Sequence, residues 1–344
     1  MNAGIARLVA CPVCACGLTL RVENERSGKV IEGRFRCPGC ERDYPVRGGI
    51  PRFLPDRPAG EAMTTAERFG YEWTRFSEIL SQYEAQFLAW IAPAGPGDFA
   101  GRIVLDAGCG KGRHLRLASQ FGAAEVIGVD LGPAVEAAVR NTADLPNVSV
   151  FQADLLHLPI APASVDLVYS VGVLHHLRDP FAGFRALIRV LKPGGRIVLW
   201  VYGREGNGWI VTFVNPIRRI TSRLPLPFLR VCSVWVALPL WLALRSVYRP
   251  AQRVRACAWL QGRLPYEAYL KDLTDFPFRE IHAITFDHLL APIAHYLPQG
   301  EIARWFAGWG LRLDSLRWHH RNSWSAIGHL PRADDLPSGA SERT

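Results

Sequence analysis

The chain has 344 residues, 49% of them apolar, and a formal charge of +9. This suffices for a real hydrophobic core and suggests two or three folded units. No run near twenty uncharged apolar residues occurs, which argues against a conventional spanning helix. Residues 1–10 hold one Arg and no apolar stretch of signal-peptide length, so a cytoplasmic location is expected, with the eight cysteines mostly reduced or metal-bound.

In chain order, the first chemistry is Cys11-x-x-Cys14 and Cys37-x-x-Cys40, separated by 22 residues. Each pair can form a knuckle that presents two thiolates to one tetrahedral Zn²⁺. Between them, strand-like runs at 18–22 and 30–35 flank a Glu-Arg-Ser-Gly turn. Residues 1–58 therefore read as a zinc ribbon with structural zinc on Cys11, Cys14, Cys37 and Cys40, and Cys16 as a spectator. Residues 55–60 read as a Pro- and Gly-rich linker. In the helical lead-in, 59–100, apolar residues recur from Phe69 through Trp73, Phe76, Leu80, Tyr83 and Phe87 to Trp90, which predicts one helix over 64–91. Tyr71 and Trp73 are candidates to close over a bound group.

The segment from 101 to 205 carries the strongest pattern. A short apolar run, 103–105, ends in Asp106-Ala107-Gly108-Cys109-Gly110-Lys111-Gly112, and a helical pattern follows over 113–121. Glycines at a strand-to-helix turn let backbone approach a ligand, and the free amides at a helix start can cradle a polar group. A second strand, 125–129, ends in Asp130, placed to accept from two ribose hydroxyls. A third, 148–152, ends in Asp154-Leu155; a fourth covers 165–171; Leu191-Lys192-Pro193-Gly194-Gly195 is expected as a turn into a fifth, 196–201.

Taken together, these residues resemble class I S-adenosylmethionine-dependent methyltransferases of the type 11 kind, over about residues 101–202. The resemblance implies a doubly wound, mostly parallel, seven-stranded Rossmann-like sheet with S-adenosyl-L-methionine as cofactor. It implies that Asp106 holds the amino acid end, that Gly108 and Gly110 pack under the methionine and ribose, that Asp130 takes both ribose hydroxyls, that Asp154 and Leu155 meet the adenine, and that Cys109 and Leu131 also bind the cofactor. The ribbon, through Tyr44-Pro45-Val46-Arg47-Gly48-Gly49-Ile50-Pro51, resembles small zinc-ribbon proteins that activate methyltransferases for tRNA and translation factors, and the front of some rRNA guanine methyltransferases.

The end of the fourth strand, residues 170–177, resembles the same place in small-molecule, quinone and tRNA wobble-uridine methyltransferases. Its His175 and His176 are candidate general bases or structural braces. The insert, 206–275, is unusual: residues 206–266 hold nine Arg and no Lys, Asp or Glu. Its apolar stretch at 231–244 carries Trp235 and Trp241 and is expected to be too short to span a bilayer. That composition fits an interfacial membrane helix, an RNA-facing surface or a plain cap over the substrate. In the last part of the fold, 276–331, Asp287, His288, His295 and Tyr296 are candidates for the acceptor pocket. A helix over 301–310, a sixth strand over 311–316 and a hairpin into a seventh complete the expected topology, with a disordered tail at 332–344.

The sequence therefore predicts a methyltransferase acting on a small-molecule or lipid-like acceptor, cytoplasmic with possible peripheral membrane contact. The alternatives are an RNA methyltransferase using the ribbon and the insert, and a non-catalytic scaffold. The methylated atom and the oligomeric state stay open.

Overall fold

The computed structural model describes residues 1–54 and 60–335. Four strands open the chain: β1 (Thr19–Arg26), β2 (Lys29–Arg36), β3 (Asp43–Arg47) and β4 (Ile50–Phe53). Five more follow the helical lead-in: β5 (Ile103–Ala107), β6 (Glu125–Asp130), β7 (Val148–Ala153), β8 (Val165–Val171) and β9 (Leu191–Tyr202). A terminal hairpin supplies β10 (Arg312–His319) and β11 (Ser323–His329). All eleven join one sheet in the order β1-β2-β3-β4-β7-β6-β5-β8-β9-β11-β10. From β7 to β10 this is the expected seven-stranded Rossmann-like core, parallel except where β11 runs against β9 and β10. β7 is buried at every residue, as a parallel strand covered on both faces must be.

Helices cover both faces. On one, α2 (Gln82–Ile91), α3 (Arg113–Gln120) and α4 (Ala134–Asn141) bury Phe87, Leu115 and Val135 in one apolar cluster. On the other, α5 (Pro180–Val190) and α11 (Gln299–Gly308) contribute Phe184, Leu187, Trp305 and Phe306 to a second.

The ribbon is not a separate bead. β4 pairs in parallel with β7, Arg52 opposite Gln152 and Phe53 opposite Ala153. Phe53 lies among Phe35, Tyr44 and Phe151, with ring centroids 5.6, 5.1 and 5.7 Å away. Lys29 Nζ donates to the carbonyls of Ala143 (2.7 Å) and Leu145 (3.0 Å) on the core. The β1–β2 turn puts Ser27 and Gly28 at φ 51° and 72°, the left-handed conformations that a tight hairpin needs.

Several expectations change. The single helix over 64–91 is two, α1 (Gly60–Arg75) and α2, because the intervening carbonyls are taken by core side chains. Lys111 Nζ donates to the Phe76 carbonyl (2.7 Å) and Asn141 Nδ2 to that of Ser77 (2.8 Å). The expected turn at 191–195 lies inside β9, where the ladder with β8 shifts register and the Gly194 N–H donates to the Leu330 carbonyl (2.6 Å). The linker at 55–59 and the tail at 336–344 lie outside the described residues, whereas Ala333–Asp335 forms a 3-10 turn.

The insert is helical: α6 (Asn215–Thr221), α7 (Leu226–Ala243), α8 (Arg249–Arg253) and α9 (Glu267–Leu270), with α6 and α7 packed on α10 (Phe278–Leu290). Helix continues from Leu226 to Arg253, 28 residues, long and apolar enough to cross a membrane by length and composition alone, with 17% of its most apolar window buried. The sequence expectation missed it because Arg230 and Arg245 bracket the uncharged run, and a helix carries both without ending. Nor are the arginines a uniform surface field. Arg218 is buried, 3% exposed, and Arg249 and Arg253 both pair with Asp275 (3.3 and 2.8 Å).

Candidate active site

A cavity of about 730 Å³ opens above the carboxyl ends of β5, β6 and β8 and runs under the insert. Its first half is built by the turn after β5. Gly108 sits at φ 94° and Gly110 at φ 50°. A Cβ on Gly108 would meet Val173 at 2.3 Å, and one on Gly110 would meet the Trp73 indole at 3.2 Å, so the turn tolerates only glycine-sized residues at close range. Gly108, Cys109, Gly110, Asp130, Leu131, Asp154 and Leu155 all line this half. Asp130 accepts from the Gly110 N–H and the Gly132 N–H, both at 2.9 Å, which fixes its carboxylate at the strand end. Asp154 caps the turn after β7, accepting from the Leu156 N–H at 2.9 Å. Asp106 lies beneath the turn and away from the cavity wall; it is 1% exposed, its Oδ2 has no hydrogen-bond partner, and burial pushes its carboxyl up to about 8. Trp73 forms part of the wall, with Lys111 and Arg113 over its ring at 5.1 and 5.6 Å. Tyr71 instead packs on Phe286.

The second half gathers side chains from distant elements. His176, Asp287, His288 and Tyr296 line it, together with Glu72, Tyr202, Asn207, Tyr266, Tyr269 and Asn322. His175 and His295 do not reach it. His175 is fully buried, stacked on Tyr202 at 3.9 Å, and neither ring nitrogen has a partner. His176 Nδ1 donates to the Ile293 carbonyl (2.6 Å), which leaves Nε2 as its acceptor. Burial lowers the His176 imidazolium to about 3 and that of His288 to about 4, so both are neutral and weak as bases. Burial raises the Asp287 carboxyl to about 6, held down in part by the guanidiniums of Arg218 and Arg113. Asp287 is thus ionised at neutral pH but close enough to neutrality to exchange a proton.

Sequence reading missed three of these groups. Arg218 was one of nine insert arginines expected at a surface. Its Nε donates to the His288 carbonyl at 2.8 Å, so the insert is pinned to the acceptor wall. Tyr202 ends β9 and stacks between His175 and Tyr296. Glu72 is buried in the wall with Oε2 unpartnered, and burial raises its carboxyl well above the usual range. An acid three residues after Phe69 on an apolar helix face was the available signal for Glu72; nothing local marked the other two.

At the ribbon, the Sγ atoms of Cys11, Cys14, Cys37 and Cys40 all lie within 4.8 Å of one another. Cys11 and Cys40 are 3.6 Å apart, and Cys14 and Cys37 3.3 Å. Four thiols at such spacing fit a tetrahedral ion with metal–sulfur bonds of about 2.3 Å. The Tyr44 hydroxyl lies 3.2 Å from Cys11 Sγ, a second layer of support.

The strand order and the glycine turn are those of the class I methyltransferase fold. Residues 105–199 match the family described as Methyltransferase domain. The chain is 40% identical over 195 residues to a tRNA U34 carboxymethyltransferase of Methylococcus capsulatus, covering 54% of this chain and 55% of that one. It is 34% identical over 151 residues to the like-named protein of Idiomarina loihiensis (42% and 45% covered), and 37% identical over 109 residues to a probable tRNA methyltransferase 9B of Mus musculus (30% and 23%). It spans about half the length of the first two relatives, or less. Among solved structures, the Haloferax volcanii complex of the Trm112 methyltransferase activator with a methyltransferase superposes with a TM-score of 0.44 at 16% identity, covering 77% of this chain and 94% of that one.

These relatives overturn the expected small-molecule or lipid-like acceptor, and with it the lipid-surface partner: those whose names state an acceptor act on tRNA. The physical ground for the lipid reading also weakens, since Arg218 is buried against His288 and Arg249 and Arg253 pair with Asp275 at the surface, so these three do not form a free headgroup-facing band.

Asp130→Ala should weaken S-adenosylhomocysteine binding by about tenfold or more, because a charged acceptor and the clamp on two glycine amides are lost together. Titration calorimetry on the variant checks this; an unchanged affinity refutes the assignment.

Proposed function

We propose that this chain is an RNA methyltransferase that modifies a tRNA nucleotide, with a wobble-position uridine as the first acceptor to test. The observation that supports the reading is the run of relatives named for tRNA modification. A cytoplasmic setting suits such an acceptor.

S-adenosylmethionine would supply an electrophilic methyl on a cationic sulfur. Asp130 and Leu131 would hold its ribose, Asp154 and Leu155 its adenine, and the turn from Gly108 to Gly110 its methionine end. Asp106, a buried carboxyl with an unused oxygen, suits a nearby cation through backbone or water. The acceptor would enter under the insert, between the rings of Tyr202, Tyr296 and Tyr269. Asp287 would take a proton from the acceptor where one must leave. His176 and His288 would accept hydrogen bonds without charge, and Tyr296 would orient the acceptor. His175 and His295 would brace the wall and stay out of the chemistry. Such a site works by in-line positioning more than by strong acid–base catalysis.

The four ribbon thiolates would hold one structural Zn²⁺. Because β4 and the core share one sheet, stripping the metal should lower the unfolding midpoint of the whole chain as well as the ribbon's. Elemental analysis should give one zinc per chain, and Cys37→Ser should lose it. A variant with unchanged metal content and midpoint contradicts this assignment.

Incubation with labelled S-adenosylmethionine and total tRNA, followed by nucleoside mass spectrometry, should place label in one tRNA nucleoside. The rate should rise with pH through about 6, as Asp287 ionises, and then level. Asp287→Asn should lower kcat/KM by about a hundredfold and remove that limb. Label in no RNA, with transfer to an extracted small molecule instead, defeats the proposal.

A further inference from the structure

The cavity mouth carries aromatic rings that neither cofactor binding nor the proton chemistry uses. Trp209 is 52% exposed, yet it lines the cavity. It meets Tyr266 edge-on, with ring centroids 5.8 Å apart. Tyr266 lines the cavity too, although it lies 57 residues further along the chain. Its backbone sits at φ 50°, ψ 26°, a left-handed conformation that is costly for a bulky residue. Strain of this kind persists only where surrounding contacts hold it, and it marks places where a side chain is aimed at a task. The Tyr266 hydroxyl donates to the Gly206 carbonyl (3.3 Å), which ties the two segments together across the mouth. Asn207 fixes the Trp209 loop from below: it is 2% exposed, and its Nδ2 donates to the carbonyls of Gly203 (2.7 Å) and Asn322 (2.6 Å).

Acids and cations both lie near these rings: Glu267 follows Tyr266 and accepts from the Gly262 N–H, and Glu205 accepts from the Gln299 N–H and Trp324 Nε1. Arg178 lines the same cavity and is exposed. Exposed Arg321 belongs to the turn whose backbone abuts Gly206, so close that a Cβ there would meet the Arg321 carbonyl at 2.0 Å. An exposed indole and a half-buried phenol ring at the entrance to a largely apolar chamber that Arg178 also lines match the chemistry of an unpaired nucleotide. Its base stacks on the rings, and its phosphates meet the arginines. The other exposed aromatics of the insert, Phe213, Phe228, Trp235 and Trp259, do not line the cavity, which separates this pair from the general apolar surface.

We infer that Trp209 and Tyr266 form a stacking clamp for an unpaired RNA base at the cavity mouth, with Arg178 and Arg321 receiving the adjoining phosphates. This rests on the RNA reading above and adds where the nucleotide is gripped. A single-stranded loop, whose bases are already unstacked, would enter at lower cost than a duplex, which must first extrude a base.

Steady-state kinetics on an anticodon stem-loop RNA test it. Trp209→Ala and Tyr266→Ala should each raise KM for RNA about tenfold or more. The kcat at saturating RNA should stay within about threefold, and S-adenosylhomocysteine affinity should not change. Trp209→Phe should recover most of the loss, since a smaller ring still stacks. An abasic substitution within the loop should abolish the difference between wild type and Trp209→Ala. An RNA KM within twofold of wild type in both alanine variants, with the wild type active on RNA, overturns the clamp alone. A wild type inactive on every RNA overturns the proposed function first and the clamp with it. If Tyr266→Ala fails to fold, exposed Trp209 decides the matter.

Discussion

The parallel pairing of β4 with β7 is the contact on which the rest of the architecture depends. A ribbon of some fifty residues has little core of its own. By offering its last strand to the open edge of the Rossmann-like sheet, it shares that sheet's hydrogen bonds and apolar face. The open edge, in turn, is covered and cannot pair with another chain. The same contact reaches the cofactor half of the cavity. Arg52 on β4 donates to Gln152 on β7 (2.5 Å) and to Glu136 on α4 (2.6 Å). Gln152 Nε2 donates to the Leu131 carbonyl (3.0 Å), next to Asp130. The ribbon end of the sheet is thus linked, through Arg52 and Gln152, to the loop after β6 that carries Leu131.

The insert is the complementary device on the other side. It roofs the acceptor half, and its hold is made of buried cations donating to backbone carbonyls. Arg218 reaches His288, and Arg68 on α1 reaches the carbonyls of Leu290, Leu224 and Thr221. Each guanidinium offers several fixed donors, so one side chain can pin two helices at once. Removing Arg68 would take that donor from three carbonyls and removing Arg218 from one, a heavier loss than that of a surface arginine.

The half of the cavity built by the glycine turn was legible because it is local. Asp106 to Gly112 is one strand-to-helix turn, Asp130 and Asp154 end neighbouring strands, and the cysteine pairs are short-range spacings. The seven-stranded topology followed from the same runs of buried apolar residues. The other half was legible only in part. His176, Asp287, His288 and Tyr296 stood out in the sequence and do line it, whereas Tyr202, Arg218 and Tyr266 come together only through tertiary packing that no spacing along the chain announces. His175 looked as promising as His176, because adjacent residues differ in burial only once the strand end turns. The insert misled for a related reason. Its charge was counted as a surface property, whereas packing had already buried or paired part of it. The break between α1 and α2 was invisible, since the side chains that capture the Phe76 and Ser77 carbonyls come from Lys111 and Asn141, far along the chain.

The central claim is that one continuous cavity holds the cofactor at the β-strand ends and the RNA acceptor under the insert. Amide hydrogen exchange, with S-adenosylhomocysteine and an anticodon stem-loop added separately and together, tests this most directly. The cofactor product should protect residues 106–112, 130–132 and 154–156, and the RNA should protect 207–218, 266–270 and 287–296. RNA protection confined to the ribbon, or cofactor protection spread over the insert and absent from the glycine turn, would contradict it.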